Sequence, residues 1–462
     1  MRKPFFPRSK TAGRERGFTM ALVAVAMVAI LAMAALSIDA VALYLAREEA
    51  QRAADSAALA GARILSMSGM TGDPNNAGSW SLACGAATSV ATAVAQQNKI
   101  AGLSLPAAQI TVTFPNNAAC GSNPIFGVNP QVTVKVSRQN LPTFFARIWS
   151  RSTHTVVASA TAEAYNPSNS GNFAPSGLVP VQPRCVKPWI VPNQDPWNNG
   201  TAFVDPTTGA INNPGVSQLN AGAGVVGEQF VLTSPCRLAR ANCDVTAVPS
   251  NLARQPTYGN KTSLDYVPAQ TSGPYTAVSS ANGFCANADG YDMASDGCDQ
   301  GTQYHCGTAA GAIVDLDVGP VNPTVFGGKT ASAVQCFSGA SGAQDTLQTG
   351  TVTTPIYPYQ IWAGFDNPLV KAGIVNNNDP ITSSNSIVSL PIYDGAALAT
   401  NNQAVTIVGF LQVFIGASDG LGGFDGNGNP LVTVLNVSGC GTTTTPPVTG
   451  TSPVPVRLIT AP

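Results

Sequence analysis

The chain has 462 residues, which is enough for two or three domains and a sizeable hydrophobic core. Hydrophobic residues make up 44 % and charged residues only 10 %, so the composition is not that of a disordered chain. Charge is divided unevenly, because residues 1–165 hold 14 Lys/Arg and 7 Asp/Glu, whereas residues 166–462 hold 9 and 17. No basic groove with interleaved aromatic residues is evident, which excludes nucleic acid as an expected partner.

The amino-terminal residues predict a membrane anchor. Residues 1–16 carry six basic side chains and one acid, and Phe18–Ile38 follows without a charge. As a helix this run would be about 31 Å long, close to one hydrocarbon core. The positive charge on its amino side predicts a cytoplasmic segment over residues 1–17 and a transmembrane helix over 18–38, with the remainder outside. The alternative is a cleaved signal peptide, whose apolar region is usually about 7–15 residues.

Residues 39–65 predict that the helix continues beyond the membrane as a juxtamembrane helix. Small residues recur at helical spacing, and alanine is the strongest helix former. We call this stripe the alanine face: Ala46, Ala50, Ala53, Ala54, Ala57 and Gly61. Such a stripe lets another backbone come close, as small residues do in membrane helices. It is predicted either as an assembly face for a partner or as a surface packed on the chain's own domain, and both alternatives stay open.

The rest of the chain is predicted to form two domains, so the fold class is α+β. Residues 66–165 predict a small α+β domain with an Ala-rich helix over 82–99 and alternating strands over 109–114, 131–137 and 152–165. A linker over 166–180 follows, then a β-rich domain over 181–440 and a Thr/Pro-rich, extended tail over 441–462. The strongest strands of the β-rich domain are expected over 386–392, 405–415 and 431–437.

All ten cysteines lie after residue 80. An even count beyond a membrane segment favours disulfides in an oxidising compartment. Cys84 and Cys120 are the simplest pair, since both fall in the small α+β domain, and the sequence does not decide the other pairs. The β-rich domain is therefore predicted to be disulfide-stapled.

One loop predicts a cation site. Asp289, Asp292, Asp296 and Asp299 lie close together in a turn-rich, Cys-flanked segment, and several oxygen ligands suit calcium. The alternative is a solvated acidic loop. The two histidines, His154 and His305, are predicted to be structural, because no Cys-x-x-Cys accompanies them. No catalytic set, small-molecule substrate or other cofactor is predicted.

Two stretches resemble known families. "RGFTM" at Arg16–Met20 resembles the start of type IV prepilins and pseudopilins, in which a peptidase cuts after the glycine. This implies processing between Gly17 and Phe18, although Leu22 stands where those families have glutamate. A cleaved and an uncleaved amino terminus both remain open.

The stretch from Gly17 to Leu65 resembles the amino-terminal region of TadG-like proteins of the Tad (Flp) pilus-assembly system. The resemblance is carried by Asp39 after the apolar helix and by the block "QRAADSAALAGA", which includes Gln51, Asp55, Leu59 and Gly61. Many TadG-like proteins have a von Willebrand factor A-like domain with a D-x-S-x-S motif, and this sequence has no such motif. The chain therefore resembles the form without that domain.

The resemblance implies a single-pass protein of the bacterial inner membrane whose later domains are periplasmic or extracellular. It implies a non-enzymatic component of pilus assembly or secretion that packs against other pilus-assembly proteins or pilins and contacts membrane lipid. The alternative function is that of a tethered surface or periplasmic adhesin, in which the helix is only a tether for the β-rich domain.

Overall fold

The computed structural model of the protein describes residues 15–73, 76–115, 120, 129–143, 145, 153–170, 181–198, 201–217, 224–233, 262–269, 271–277, 290–306, 309–311, 329–339, 343–350, 355–394, 404–416, 423–424, 429–439 and 447–459. Their architecture confirms the predicted α+β class. A long amino-terminal helix leads into a small mixed unit, and a disulfide-bonded β-rich domain follows.

The amino-terminal helix, α1, runs without a break over Glu15–Ser66, 52 residues or about 78 Å. No glycine or proline interrupts the sequence from Phe18 to Ala60, so nothing breaks the backbone hydrogen-bond ladder. Within the described residues α1 is the one helix long and apolar enough to cross a membrane, and its most apolar window is not buried at all. The predicted single-pass anchor and juxtamembrane helix are therefore one continuous element.

A small unit forms around the second half of α1, and we call it the membrane-proximal domain. Helix α2 (Ala77–Gln97) returns along α1, and a hairpin of β1 (Lys99–Ile100) and β2 (Leu103–Ser104) follows. The predicted strands are confirmed as β3 (Ile110–Thr113), β4 (Gln131–Pro142) and β5 (Thr153–Ala164), which pair antiparallel. Both helices pack on this sheet, where alternate β4 valines are buried: Val132, Val134 and Val136. The predicted disulfide between Cys84 and Cys120 is present.

The β-rich domain is built on one eight-stranded sheet. The three strongest predicted strands are confirmed as its antiparallel centre, β17 (Ile387–Tyr393), β18 (Ala404–Ile415) and β19 (Leu431–Gly439). The strand order is β10-β7-β17-β18-β19-β8-β9, and β13 pairs with β18. The outer members are β7 (Trp189–Pro192), β8 (Gln229–Thr233), β9 (Thr262–Asp265), β10 (Val267–Pro268) and β13 (Ala309–Gly311).

Smaller elements surround this sheet. The strands are β6 (Val181–Pro183), β11 (Tyr275–Thr276), β12 (Cys298–Asp299), β14 (Thr346–Gly350), β15 (Pro355–Trp362), β16 (Pro380–Ile381) and β20 (Val448–Gly450). The helices are α3 (Pro167–Ser170), α4 (Gly290–Asp296), α5 (Lys329–Ser338) and α6 (Pro368–Lys371). A disulfide joins Cys185 to Cys298, and Cys306 and Cys336 are disulfide-bonded as well.

The predicted tail over 441–462 requires a correction, because part of it is a strand of the membrane-proximal domain. Strand β21 (Val456–Ile459) pairs antiparallel with Thr161–Ala164 of β5, so the sheet order is β21-β5-β4-β3. Thr/Pro-rich composition correctly indicated an extended backbone. It gave no sign of a partner almost 300 positions earlier in the sequence.

An ion pair fastens β21 to β5. Arg457 Nε donates to Glu163 Oε1 at 2.6 Å, and the Glu163 side chain is only 8 % exposed. We expect Arg457→Ala to lower the free energy of unfolding by about 1–2 kcal/mol, because it leaves a buried carboxylate unpaired while the arginine itself is half exposed. Urea unfolding of Arg457→Ala, Glu163→Gln and the double variant gives the coupling energy. Strictly additive single effects would contradict this role.

The predicted linker over 166–180 also requires a correction at its start. Asn166 is buried, and its Nδ2 donates to Thr71 Oγ1 at 3.2 Å and to the Val437 carbonyl at 3.3 Å. Ser168 in α3 accepts from Gly439 N at 2.7 Å and donates to its carbonyl. Residues 166–170 therefore join the end of α1 to β19, and residues 171–180 lie outside the described part of the chain.

The cores of the two domains are continuous. The cluster of buried side chains around the alanine face also includes Val226, Phe414 and Leu435 from the β-rich domain. Met70, in the turn after α1, is fully buried, and a Cβ at Gly69 would lie 2.8 Å from Val216 Cγ2. The upper end of α1 is thus enclosed by both domains, which places the anchor helix at the centre of the fold.

Candidate functional site

The junction between anchor and domain begins at Asp39. Exposed apolar side chains precede it on α1, yet Asp39 itself is only 3 % exposed. Its Oδ2 accepts a hydrogen bond from the backbone N–H of Phe145 at 2.9 Å. A carboxylate at a membrane boundary needs such a donor, since an unpaired buried charge is costly. Asp39 therefore marks the position where the domain starts to cover the helix.

Gln51 and Asp55, further along α1, form a second connection between this helix and the domain. Gln51 Nε2 donates to Asp55 Oδ1 at 2.8 Å and to the Ser159 carbonyl at 3.2 Å. The i,i+4 spacing brings the two side chains together on the helix surface. The amide thereby connects α1 to the backbone of β5, beside the edge strand β21. Leu59, from the same "QRAADSAALAGA" block, is half-buried against the domain core.

The alanine face lies inside the protein's own core. Ala50, Ala53, Ala54 and Ala57 are 0 % exposed and Ala46 is 3 % exposed. They pack among side chains of α2, β4 and β5, so the intramolecular alternative describes this structure. The predicted assembly face needs correcting for that reason: the chain's own helix and sheet occupy the position that a partner helix would need.

Gly61 shows how close this packing is. A Cβ placed there would lie 3.3 Å from Val132 Cγ1 and 3.4 Å from Ala91 Cβ. Because alanine and glycine have small side chains, the backbone of α1 can lie close to α2 and β4. Each buried methyl contributes only about 0.8 kcal/mol, so the stripe gains its effect from close contact along its whole length.

The predicted processing residues lie in the first turns of α1. The helix begins at Glu15, so Gly17 and Phe18 are already helical, and Phe18 is 72 % exposed. Cleavage after Gly17 remains a prediction, because helix geometry does not decide whether a peptidase acts there.

The calcium prediction requires a correction for the three aspartates that the structure describes. Asp299 already accepts backbone hydrogen bonds from Gly301 at 2.9 Å and Thr302 at 3.1 Å. Asp292 and Asp296 belong to the short helix α4 and are buried. Across the described ranges no three His, Cys, Asp or Glu side chains converge as metal ligands. Asp289 lies outside those ranges.

Sequence reasoning missed a buried pair of acids in the β-rich domain. Asp195 is 0 % exposed and Glu228 is 2 % exposed, and their carboxyl groups are hydrogen-bonded to each other. Asp195 Oδ1 also accepts from Trp197 N at 2.9 Å. Burial, and then the neighbouring Asp195, raise the pKa of Glu228 to about 10, so Glu228 is the protonated donor at neutral pH. The available signal was that Glu228 is the single glutamate after residue 165.

Lys187 is a second buried ionisable group, on the other flank of the domain. Its Nζ donates to the carbonyls of Ser295 at 2.7 Å and Gly297 at 2.9 Å, and it lies 4.5 Å from the centre of the Phe337 ring. Burial lowers the pKa of Lys187 to about 7, an effect that Asp296 partly opposes. Its contacts hold α4 and the Cys185–Cys298 region together, which is a structural arrangement.

Comparison with known proteins bears on the amino-terminal helix. The family model described as "Putative Flp pilus-assembly TadE/G-like" matches residues 17–63, which are 47 of the 462 residues. The match confirms the resemblance over the anchor, Asp39, the Gln51–Gly61 block and the alanine face. No curated protein and no solved structure matches the chain. The form without a von Willebrand factor A-like domain therefore stays a prediction.

Proposed function

We propose that this chain, whose residues 17–63 are the amino-terminal segment of a TadE/G-like Flp pilus-assembly protein, is a non-enzymatic structural subunit of a Tad pilus assembly or secretion system. The observation that carries the proposal is the continuity of α1. The family segment is at once the membrane anchor and the central helix of the membrane-proximal domain.

Continuity matters because it makes the anchor and the domains one rigid body. The exposed apolar part of α1 enters the domain at Asp39, and from there one face of the same helix is buried up to Ser66. The upper end is fixed to β19 through Asn166 and Thr71. A displacement or a load in the membrane would therefore reach the β-rich domain without a flexible connection between them.

Such an arrangement fits a subunit that positions other proteins relative to the bilayer. Its partners would be pilins or other pilus-assembly proteins, held by the domain surfaces at a set height above a bacterial inner membrane. The domains would lie in the periplasm or outside the cell, where the disulfides form. A tethered adhesin would need only attachment, so its function would not depend on a rigid α1.

The experiment interrupts helix α1 with a flexible insertion and leaves the membrane anchor and the folded domains intact. Four Gly-Ser residues inserted between Ala40 and Val41 would separate the anchor from the domain. We expect this variant to remain in the membrane fraction and to form the native disulfides, but to lose surface pili. The control is the same insertion after Gly102, where a Cβ would meet nothing within 4 Å, and this variant should assemble pili normally.

The outcomes separate the two functions. Normal piliation with the insertion at Ala40 would contradict a rigid positioning role. Normal piliation in the full deletion strain, with loss of surface adhesion, would favour the tethered adhesin.

A further inference from the structure

We propose that a groove between α1 and β5, at the point where α1 leaves the bilayer, binds the phosphate group of a membrane phospholipid. The inference rests on the membrane anchoring in the proposed function and adds a specific lipid contact to it. The groove encloses about 380 Å³ and is lined by Leu43, Tyr44, Arg47 and the β5 segment 154–157.

Depth along the helix places this groove at the level of the lipid headgroups. Exposed apolar side chains do not stop at Ile38 but continue on one face through Val41, Tyr44 and Leu45. From Phe18 to Leu45 the helix covers roughly 28 residues, or about 42 Å. This length equals a bilayer of about 40–45 Å that includes both headgroup layers. Tyr44 then lies at the interface, where aromatic residues are enriched, and Arg47 lies one turn further out.

The opposite face of the same helical turns is already covered by protein. Asp39 and Ala46 are buried, at 3 % exposure each, while Tyr44 between them is 63 % exposed. The domain therefore begins at the membrane surface on one side of α1 and leaves the groove open to lipid on the other. A lipid headgroup is the nearest occupant, because the groove continues the surface that the bilayer already contacts.

The side chains that line the groove suit a phospholipid, because some can bind the phosphate group and others can contact an acyl chain. Arg47 is exposed and forms no ion pair with any described residue. His154 and the Tyr44 hydroxyl supply further hydrogen-bonding groups, and none of the described residues that line the groove is a carboxylate. Leu43 and Val156, which lie on the α1 side of β5, present apolar surface to the acyl chain. Arginine is suited to phosphate because its planar fork can donate two hydrogen bonds.

The groove has one further open feature, the edge of β5. Strand β21 pairs with Thr161–Ala164, and within the described ranges no strand pairs with residues 153–160 on that side. A partner protein could add a strand there. Arg47, which forms no ion pair with a described residue, and the depth at the headgroup layer favour lipid over a strand.

The test uses the full chain purified in mild detergent from carbonate-resistant membranes, with bound phospholipid measured by native mass spectrometry. We expect wild type to retain phosphatidylglycerol, and Arg47→Ala/His154→Ala to retain at least tenfold less. Arg47→Lys should keep part of the binding, since it preserves the charge. The matched control is Arg52→Ala, an exposed arginine on α1 outside the groove, which should behave like wild type.

Two results would overturn the inference. One is equal lipid retention in wild type and in the double variant. The other is a photo-crosslinker at Thr155 that captures protein instead of lipid in intact membranes, which would identify a strand-adding partner. Absence of the chain from the carbonate-resistant fraction would instead contradict the anchoring itself, so the two failures are distinguishable.

Discussion

Replacing Gly61 with leucine is expected to destabilise the membrane-proximal domain by about 2–3 kcal/mol, because overpacking a close helix contact costs this much. A Cβ at residue 61 would already lie 3.3 Å from Val132 Cγ1 and 3.4 Å from Ala91 Cβ. Leucine adds three more carbon atoms that have no free volume between α1, α2 and β4. The gain in helix propensity over glycine is only about 1 kcal/mol and does not offset the clash.

Gly85 provides the matched control on α2. A Cβ there would meet nothing within 4 Å, so Gly85→Leu should keep or slightly raise stability. The measurement is hydrogen exchange of the α2 amides in the full chain, read by mass spectrometry. Gly61→Leu should reduce their protection by a factor of about 30–150, since about 1.4 kcal/mol corresponds to a factor of ten. Wild-type protection in Gly61→Leu would show that the alanine face is not closely packed.

Replacing Glu228 with glutamine is expected to stabilise the β-rich domain more strongly as the pH rises. Burial and Asp195 raise the pKa of Glu228 from 4.5 to about 10. Between those values the folded state holds a proton that the unfolded state has released, so wild-type stability falls as the pH rises through this window. Glutamine resembles the protonated acid but has no proton to lose. The difference between variant and wild type should therefore grow by up to about 1.4 kcal/mol per pH unit.

The comparison must be made as a difference because Lys187 acts in the opposite direction. Burial lowers the pKa of Lys187 to about 7, so its contribution to stability rises with pH between about 7 and 10.5. Urea unfolding of wild type and Glu228→Gln is measured at pH 5, 7 and 9. The difference between the two unfolding free energies at each pH cancels the contribution of Lys187. A difference independent of pH would mean that Glu228 is ionised in the folded state.

The sequence predicted what depends on local pattern. Alanine-rich composition, without glycine or proline from Phe18 to Ala60, determines α1, and alternation of apolar residues determines β3, β4 and β17 to β19. Cys84 and Cys120 could be paired because both lie in one small domain. Each of these features is set by neighbours within a few dozen positions.

The sequence could not predict contacts between distant segments. Strand β21 pairs with β5 across almost 300 positions of the sequence, and a Thr/Pro-rich stretch carries no mark of its partner. The acid pair depends on a fold that brings Asp195 to Glu228. The alanine face was ambiguous for a related reason: small residues suit a close approach by any backbone, so only the three-dimensional structure identifies α2, β4 and β5 as the neighbours.

The described aspartates of the predicted calcium site do not form a ligand cluster with one another, because carboxylates close in sequence need not converge in space. The calcium site itself stays a prediction. Asp299 Oδ1 accepts from the backbone of the following turn and its Oδ2 accepts from Ser272 N, while Asp292 and Asp296 are held in α4. Charge spacing in a loop is weak support for a metal site unless the backbone directs the oxygens to one point.

We infer that α1 is a rigid rod, and its alanine face lies in the core of its own chain. The most direct measurement is labelling of single cysteines at neighbouring positions of α1 by a membrane-impermeant maleimide, in intact cells permeabilised only at the outer membrane. Arg52→Cys should react readily, because Arg52 is exposed, whereas Ala53→Cys should stay unlabelled and uncrosslinked, because Ala53 is 0 % exposed. Rapid labelling of Ala53→Cys, or its disulfide crosslinking to another subunit, would contradict the account.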